Sequence, residues 1–224
     1  MKKSVRIVVT AGPTREHLDP VRFLSNPSTG KMGFAIAAEA ARRGHDVTLV
    51  AGPVSLKTPA GVKRVDVVSA REMLAAVLDA LSAAGGCAGG RTALVASAAV
   101  ADWRPASCAL SKLKKGAMSG VLKLSRNPDI LKTVRRLMPA AREDAPLLVG
   151  FAAETGDPVA EALRKCREKG LSFIVANDVT EKGCGFGTDT NRVTFVYPDG
   201  TVRRLPLLSK RRVAARIIKE IETC

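Results

Sequence analysis

Two short runs near the N-terminus hold residue types able to do chemistry together. They are Val8-Val9-Thr10-Ala11-Gly12-Pro13-Thr14-Arg15-Glu16 and Ser25-Asn26-Pro27-Ser28-Thr29-Gly30-Lys31-Met32-Gly33. An apolar strand that passes through a polar loop into a glycine-started helix leaves unpaired backbone N–H groups and the positive end of a helix dipole at one place, and such a place binds phosphate or another anion. Asn26, Ser28, Thr29 and Lys31 add side-chain donors at a density unusual for a connector. A further run, Ser111-Lys112-Leu113-Lys114-Lys115-Gly116, suits a mobile flap carrying cations over a bound polyphosphate.

The elements that must position these residues read as alternating βα units. Segments 6–11, 46–51, 92–98, 147–152 and 171–176 are short apolar runs rich in Val, Ile and Leu, the pattern of strands buried on both faces. Helical periodicity covers 33–43, 70–81, 128–138 and 159–169. Ser69 with Glu72 forms a capping-box signature, and Asn127-Pro128 places a cap residue before proline at a first helical position. Segments 192–197 and 202–207 flank the turn Pro198-Asp199-Gly200-Thr201 as a hairpin, and 209–222 reads as a final helix. The expected fold class is α/β, a Rossmann-like three-layer arrangement with a mainly parallel central sheet, a C-terminal β-hairpin and a final helix. Ligands then gather at the carboxyl ends of the strands. Residues 1–224 are expected to form one domain without internal repeats. Segments 13–29 and 101–125 are expected as long loops serving a site, and the glycine-rich stretch 83–90 as a flexible surface loop.

Composition narrows the function classes. The chain has 224 residues, 46% hydrophobic, enough for a sizeable core, and no apolar run long enough to cross a bilayer. The start, Met1-Lys2-Lys3-Ser4-Val5-Arg6, lacks the apolar stretch of a secretion signal. Five scattered cysteines (Cys87, Cys108, Cys166, Cys184, Cys224) without a C-x-x-C pair argue for reduced thiols and a cytoplasmic location rather than disulfides or zinc. Lys and Arg number 36 against 21 Asp and Glu, a formal +15 that attracts polyanions. Only 4% of residues are aromatic and the cations are spread along the chain, so base-stacking platforms for nucleic acid are scarce. Small anionic substrates such as nucleotides and phosphate esters fit better.

Three familiar motifs fail. A Walker A loop needs glycine where Ser25 stands and Ser or Thr where Met32 stands. A dinucleotide fingerprint needs more glycines than Gly12 after the first strand, and an acid where the second strand ends in Ala51-Gly52-Pro53. The two histidines, His17 and His45, have no nucleophile context and read as surface residues.

In order along the chain come Thr10-Ala11-Gly12-Pro13-Thr14-Arg15-Glu16, Asp19-Pro20-Val21-Arg22, the Ser25 to Gly33 loop, Ala98-Ala99-Val100-Ala101-Asp102, Lys112-x-Lys114-Lys115, Asn127-Pro128-Asp129-Ile130, Gly150-Phe151-Ala152-Ala153-Glu154-Thr155 and Ala176-Asn177-Asp178. This set resembles bacterial phosphopantothenate–cysteine ligase over nearly the whole chain. Pro27, Trp103 and the 83–90 insertion depart from the common form of that family. In many bacteria the ligase is similar to the C-terminal half of a fused protein whose other half is a flavin-dependent decarboxylase, and for this chain no flavin is expected.

The resemblance implies that 4′-phosphopantothenate attacks the α-phosphate of CTP, releasing pyrophosphate, and that the L-cysteine amine then displaces CMP to form an amide, with Mg²⁺ assisting. Such chemistry asks for alignment and charge neutralisation more than for a covalent nucleophile. Asn26 matches the residue that binds the reacting carboxylate, and Lys112 the flap lysine over the triphosphate. Gly12, Ser25, Ser28, Gly30, Gly33, Asn177 and Asp178 match substrate-holding positions. Nucleotide-binding positions match Ala96, Ser97, Ala98, Asp102, Lys112, Asn127, Pro128, Asp129, Ile130, Phe151, Lys165 and Lys169. Lys165 and Lys169 lie four apart, hence on one helix face. Asp102 is a candidate for Mg²⁺ or a ribose hydroxyl, and Asp178 for a turn cap. CTP over ATP rests on the K-x-K-K flap alone. The resemblance also implies a homodimer with a flap at about 103–126 reaching toward the partner's site. No nucleic acid or membrane partner is expected. A non-catalytic nucleotide or nucleic-acid binding module and an NADP-dependent reductase remain the alternatives.

Overall fold

The computed structural model describes residues 4–83, 91–114, 120–142 and 145–224. In chain order the elements are β1 (Arg6–Ala11), β2 (Arg15–His17), β3 (Phe23–Ser25), α1 (Lys31–Arg42), β4 (Asp46–Ala51), β5 (Val62–Asp66), α2 (Ala70–Ser82), β6 (Thr92–Ala96), β7 (Trp103–Pro105), β8 (Leu124–Arg126), α3 (Ile130–Leu137), β9 (Leu147–Glu154), α4 (Val159–Glu168), β10 (Phe173–Asp178), β11 (Thr190–Asn191), β12 (Thr194–Val196), β13 (Val202–Arg204), β14 (Leu208–Ser209) and α5 (Lys210–Thr223). One eight-stranded sheet has the order β13-β12-β10-β9-β6-β1-β4-β5. From β10 to β5 every pairing is parallel, while β12 and β13 add an antiparallel hairpin at the other edge.

Burial on both sheet faces explains the unbroken apolar strands. Ile7, Val9 and Ala11 face a layer made by Phe34, Ile36 and Ala40 of α1 and Val213, Ile217 and Ile221 of α5. Val8, one residue out of phase, faces Met73 and Val77 of α2, with Val134 of α3 and Ala162 of α4 in the same layer. Each buried Val, Leu or Ile contributes roughly 1.5–3 kcal/mol relative to exposure, so neither face tolerates polar alternation. The architecture is the expected three-layer α/β fold, and β1 and β4 keep the expected bounds.

Several expectations change. The segment before α2 contains an edge strand, β5, that the sequence reading lacks, because Lys63 and Arg64 break its apolar character. Charged residues on an edge strand are a device against unwanted pairing. The two long loops contain small ladders: β2 pairs with β3, and β7 with β8, each antiparallel over three residues. The cap of α3 is Asp129, whose side chain accepts from the Lys132 N–H at 3.0 Å, rather than Asn127. Asn127 instead donates to the Ala101 carbonyl at 2.8 Å. His45 is buried, accepting from the Val5 N–H at 3.2 Å and facing Glu222, because the turn after α1 folds it under α5. Cys87, Lys115, Gly116 and residues 84–90 lie outside the described residues. Among those described, Cys108, Cys166, Cys184 and Cys224 are free thiols, and no helix is long and apolar enough to cross a membrane.

Candidate functional site

The carboxyl ends of β1, β6, β9 and β10 open onto a cleft of about 560 Å³. One wall is the loop from Asn26 into α1, and the floor is the segment from Ala96 to Asp102. Asn127 to Leu131, Phe151, Lys165 and Lys169 form the far wall, with Asn177, Phe186, Asn191 and Lys210 opposite. Parallel strands turn toward their helices at this end, which is why the ligand space lies here.

Backbone carbonyls and small hydroxyls bolt the floor to the first loop. Ser97 Oγ donates to the Thr10 carbonyl at 2.6 Å, and the Ala98 N–H donates to Thr10 Oγ1 at 3.2 Å. The Ala99 N–H reaches the Gly12 carbonyl at 2.9 Å, and the Ala101 N–H reaches Thr14 Oγ1 at 3.0 Å. Asn26 Nδ2 closes the join by donating to the carbonyls of Ala99 at 3.1 Å and Val100 at 3.3 Å. Gly30, at φ 77°, turns the chain into α1 in a left-handed conformation that favours glycine, and no side chain caps the helix. Gly33 lets α1 approach β1, since a Cβ there would lie 2.5 Å from the Ala11 Cβ and 2.7 Å from Ser97 Oγ. The uncapped N-terminus therefore presents its dipole and N–H groups to the cleft.

Charge in the cleft is uneven. Lys165 pairs with Glu154 at 2.6 Å and Glu161 at 3.3 Å. Burial pushes the Lys165 pKa down, but these carboxylates outweigh it and hold the ammonium above its ordinary value. Lys169 pairs with Asp129 at 2.8 Å. Burial raises the Asp129 carboxyl, yet Lys169 and the Lys132 N–H hold it below the usual range. Lys31 pairs with Asp189 at 2.7 Å. Asp102 lines the cleft and makes no ion pair among the described residues. No Cys or His lines the cleft among them, and burial pushes the Cys166 thiol up to about 11, away from nucleophile chemistry.

Of the sequence-predicted residues, Asn26, Ser28, Gly30, Gly33, Ala96, Ser97, Ala98, Asp102, Asn127, Pro128, Asp129, Ile130, Phe151, Lys165, Lys169 and Asn177 line this one cleft. Four do not. Gly12 lies behind the floor, holding Ala99. Ser25 is exposed and donates to the Thr14 carbonyl at 2.8 Å. Asp178 follows Asn177 on a strand, so its side chain falls on the opposite face, where it accepts from the Thr180 N–H at 2.8 Å as a turn cap. Lys112 is exposed and away from the cleft, because its neighbour Leu113 is held by the Asp19 carboxylate at 3.1 Å and by Arg22 at 2.8 Å. Asp19 is itself held well below the ordinary carboxylate range by Arg22.

Sequence reasoning missed Asn191, Phe186 and Lys210, and noticed Lys31 only as a donor. One signal was available. Lys31 and Lys210 are the first residues of α1 and α5, where a cation opposes the helix dipole and so calls for another reason to be there.

Comparison with known proteins follows the same outline. The family described as DNA/pantothenate metabolism flavoprotein C-terminal domain matches residues 2–224. The chain is 46% identical over 224 residues to the Coenzyme A biosynthesis bifunctional protein CoaBC of Escherichia coli (strain K12), covering 99% of this chain and 52% of that protein. The Bacillus subtilis (strain 168) protein of the same name is 44% identical over 216 residues, covering 96% and 50%. The chain thus spans about half the length of these curated relatives. A crystal structure of the C-terminal domain of a CoaBC protein superposes with a TM-score of 0.78 at 42% identity, covering 99% of this chain and 95% of that one. A Cab2 mutant in complex with phosphopantothenate-cysteine shares the fold, with a TM-score of 0.75 at 17% identity over 98% of this chain and 87% of that one.

Proposed function

The chain belongs to the DNA/pantothenate metabolism flavoprotein C-terminal domain family, and from that premise we propose that residues 1–224 form one ligase domain joining 4′-phosphopantothenate to L-cysteine through an acyl-cytidylate. The names of the Escherichia coli and Bacillus subtilis relatives place them in coenzyme A biosynthesis, and the Cab2 mutant is in complex with phosphopantothenate-cysteine. The observation that carries the reading is the cleft. It gathers an asparagine, an uncapped helix N-terminus and four lysines round one volume, with no cysteine or histidine among the described lining residues.

Such a site acts by holding anions in line. Phe151, Asn127 to Ile130, Lys165 and Lys169 hold the nucleotide. Asn26 holds the reacting carboxylate and, as the cysteine amine adds to the acyl-cytidylate and charge builds on the acyl oxygen, exchanges a backbone carbonyl for that oxygen. A neutral amide suits this role, since it does not overstabilise the starting carboxylate. A lone free carboxylate beside bound phosphates is a usual arrangement for Mg²⁺, so Asp102 is the residue that would hold it, and the bound ion supplies neutralisation of phosphate charge. The acting unit is a homodimer. Val21 and Phe23 on the first small hairpin, and Trp103 and Leu124 on the second, are exposed apolar side chains on neighbouring ladders, which supports their cover by a second copy. Sedimentation at micromolar concentration reads this directly, and a lone monomer refutes it.

Isotope transfer tests the reaction path. With ¹⁸O in the substrate carboxylate, one labelled oxygen is expected in the CMP released. Amide formation with unlabelled CMP would refute the acyl-cytidylate.

A further inference from the structure

The end of the cleft opposite the nucleotide wall carries an imbalance of charge. Lys210 is 7% exposed and lines the cleft, and among the described residues its Nζ donates only to the Gly185 carbonyl at 3.1 Å. Each of the other three cleft lysines, Lys31, Lys165 and Lys169, has a carboxylate partner, whereas Lys210 has none within ion-pairing distance among the described residues. Asp189, an acid whose charge acts on it, is already paired to Lys31. A buried ammonium without a counter-ion is strongly disfavoured unless something anionic completes it. Burial and the Lys31 charge push its pKa down, as expected for a cation lacking a partner.

Two further observations converge on the same end. Lys31 and Lys210 open α1 and α5, neither helix has an acid in its first turn, and both first residues line this cleft. Asn191, 5% exposed and also on the lining, has a carboxamide oxygen with no hydrogen-bond partner among the described residues. Leaving such a group buried and unsatisfied carries its full desolvation penalty. Which end of that amide is nitrogen is interchangeable at no change in shape, so it serves a donor or an acceptor on a ligand.

We propose that Lys210, with Lys31, Asn191 and the N-terminus of α1, seats the two terminal phosphates of the nucleotide and holds them as inorganic pyrophosphate when they leave. The proposal rests on the ligase reading and adds the seat of the leaving group. In the transfer step a carboxylate oxygen bonds to the α-phosphorus and the bond from that phosphorus to the bridging oxygen breaks. The electron pair stays on pyrophosphate, whose extra negative charge falls beside Lys210, and no proton moves. A pyrophosphate has an oxygen for each of Lys210, Lys31, Asn191 and the α1 N–H groups, more acceptors than the single carboxylate of an amino acid offers.

Binding of inorganic pyrophosphate and of CMP to the whole chain, measured by calorimetry, tests the seat without amide formation. Lys210→Gln is expected to weaken pyrophosphate ~10- to 100-fold, the value of one charge-assisted bond, while CMP binding stays unchanged. Lys210→Arg is expected to recover most of the loss. Lys31→Gln is expected to weaken pyrophosphate less, since Asp189 already neutralises Lys31, and it decides the matter if Lys210→Gln does not fold. Unchanged pyrophosphate affinity in folded variants overturns the proposal. So does a rise in KM for cysteine with KM for CTP unmoved, which would mark an amino-acid carboxylate seat. Wild-type protein that binds pyrophosphate at this seat but forms no amide would sink the ligase reading and leave the seat standing.

Discussion

Asn26→Ala tests the site at the point where geometry and chemistry meet. The substitution deletes two bonds, Nδ2 to the Ala99 carbonyl at 3.1 Å and to the Val100 carbonyl at 3.3 Å. Each is worth about 1 kcal/mol to the fold, so in a domain of this size the melting temperature should fall by about 4–8 °C. The reaction loses more. Removal of a single oxyanion donor costs about 2.7–4 kcal/mol, or ~10²- to 10³-fold in kcat. Asn26→Asp keeps the shape, removes the same donors and sets a negative charge against the substrate carboxylate, so its kcat should fall at least as far. Steady-state pyrophosphate release at saturating CTP and cysteine, alongside thermal unfolding, separates the two effects. A loss of less than ~10-fold in a folded Asn26→Ala enzyme refutes the role assigned to the carboxamide.

Gly33→Ala is expected to lower stability by about 1–3 kcal/mol through overpacking, because the new Cβ would meet Ala11, Ser97 and the Thr10 carbonyl within 3.0 Å. An unchanged denaturant midpoint would contradict that close approach. Glu39, 5% exposed, has its carboxyl lowered from 4.5 to about 2, foremost by Arg42 and then Arg43, against the opposing effect of burial. A depressed carboxyl stabilises fully above its unfolded pKa, so this contribution is present above about 4.5 and lost as pH falls toward 2. Urea unfolding should show a steeper acid loss in wild type than in Glu39→Gln over that window, and parallel curves would refute the assignment.

The sheet was legible where burial acts on both faces. Ile7 to Ala11 and Val47 to Ala51 are apolar but for Thr10 and Thr48, so their limits stand out in the chain. The edge strand Val62–Asp66 was not, because solvent on one side lets Lys63 and Arg64 into it. The cleft walls near Asn26, Asp102 and Asn127 could be read from motifs local in sequence. Strand phase decides between Asn177 and Asp178, and a remote anchor at Asp19 decides where Lys112 lies; neither is visible in a motif. Lys210 and Asn191 join the cleft only through packing of the last helix on the first, a long-range relation that carries no local pattern beyond a lysine at the wrong end of a helix.

The most direct test offers the purified chain 4′-phosphopantothenate, L-cysteine and Mg²⁺ with CTP or with ATP, and weighs the products by mass. Equal amounts of 4′-phosphopantothenoylcysteine, CMP and pyrophosphate from CTP are predicted, with little from ATP. Folded protein that releases no pyrophosphate from either nucleotide contradicts the account.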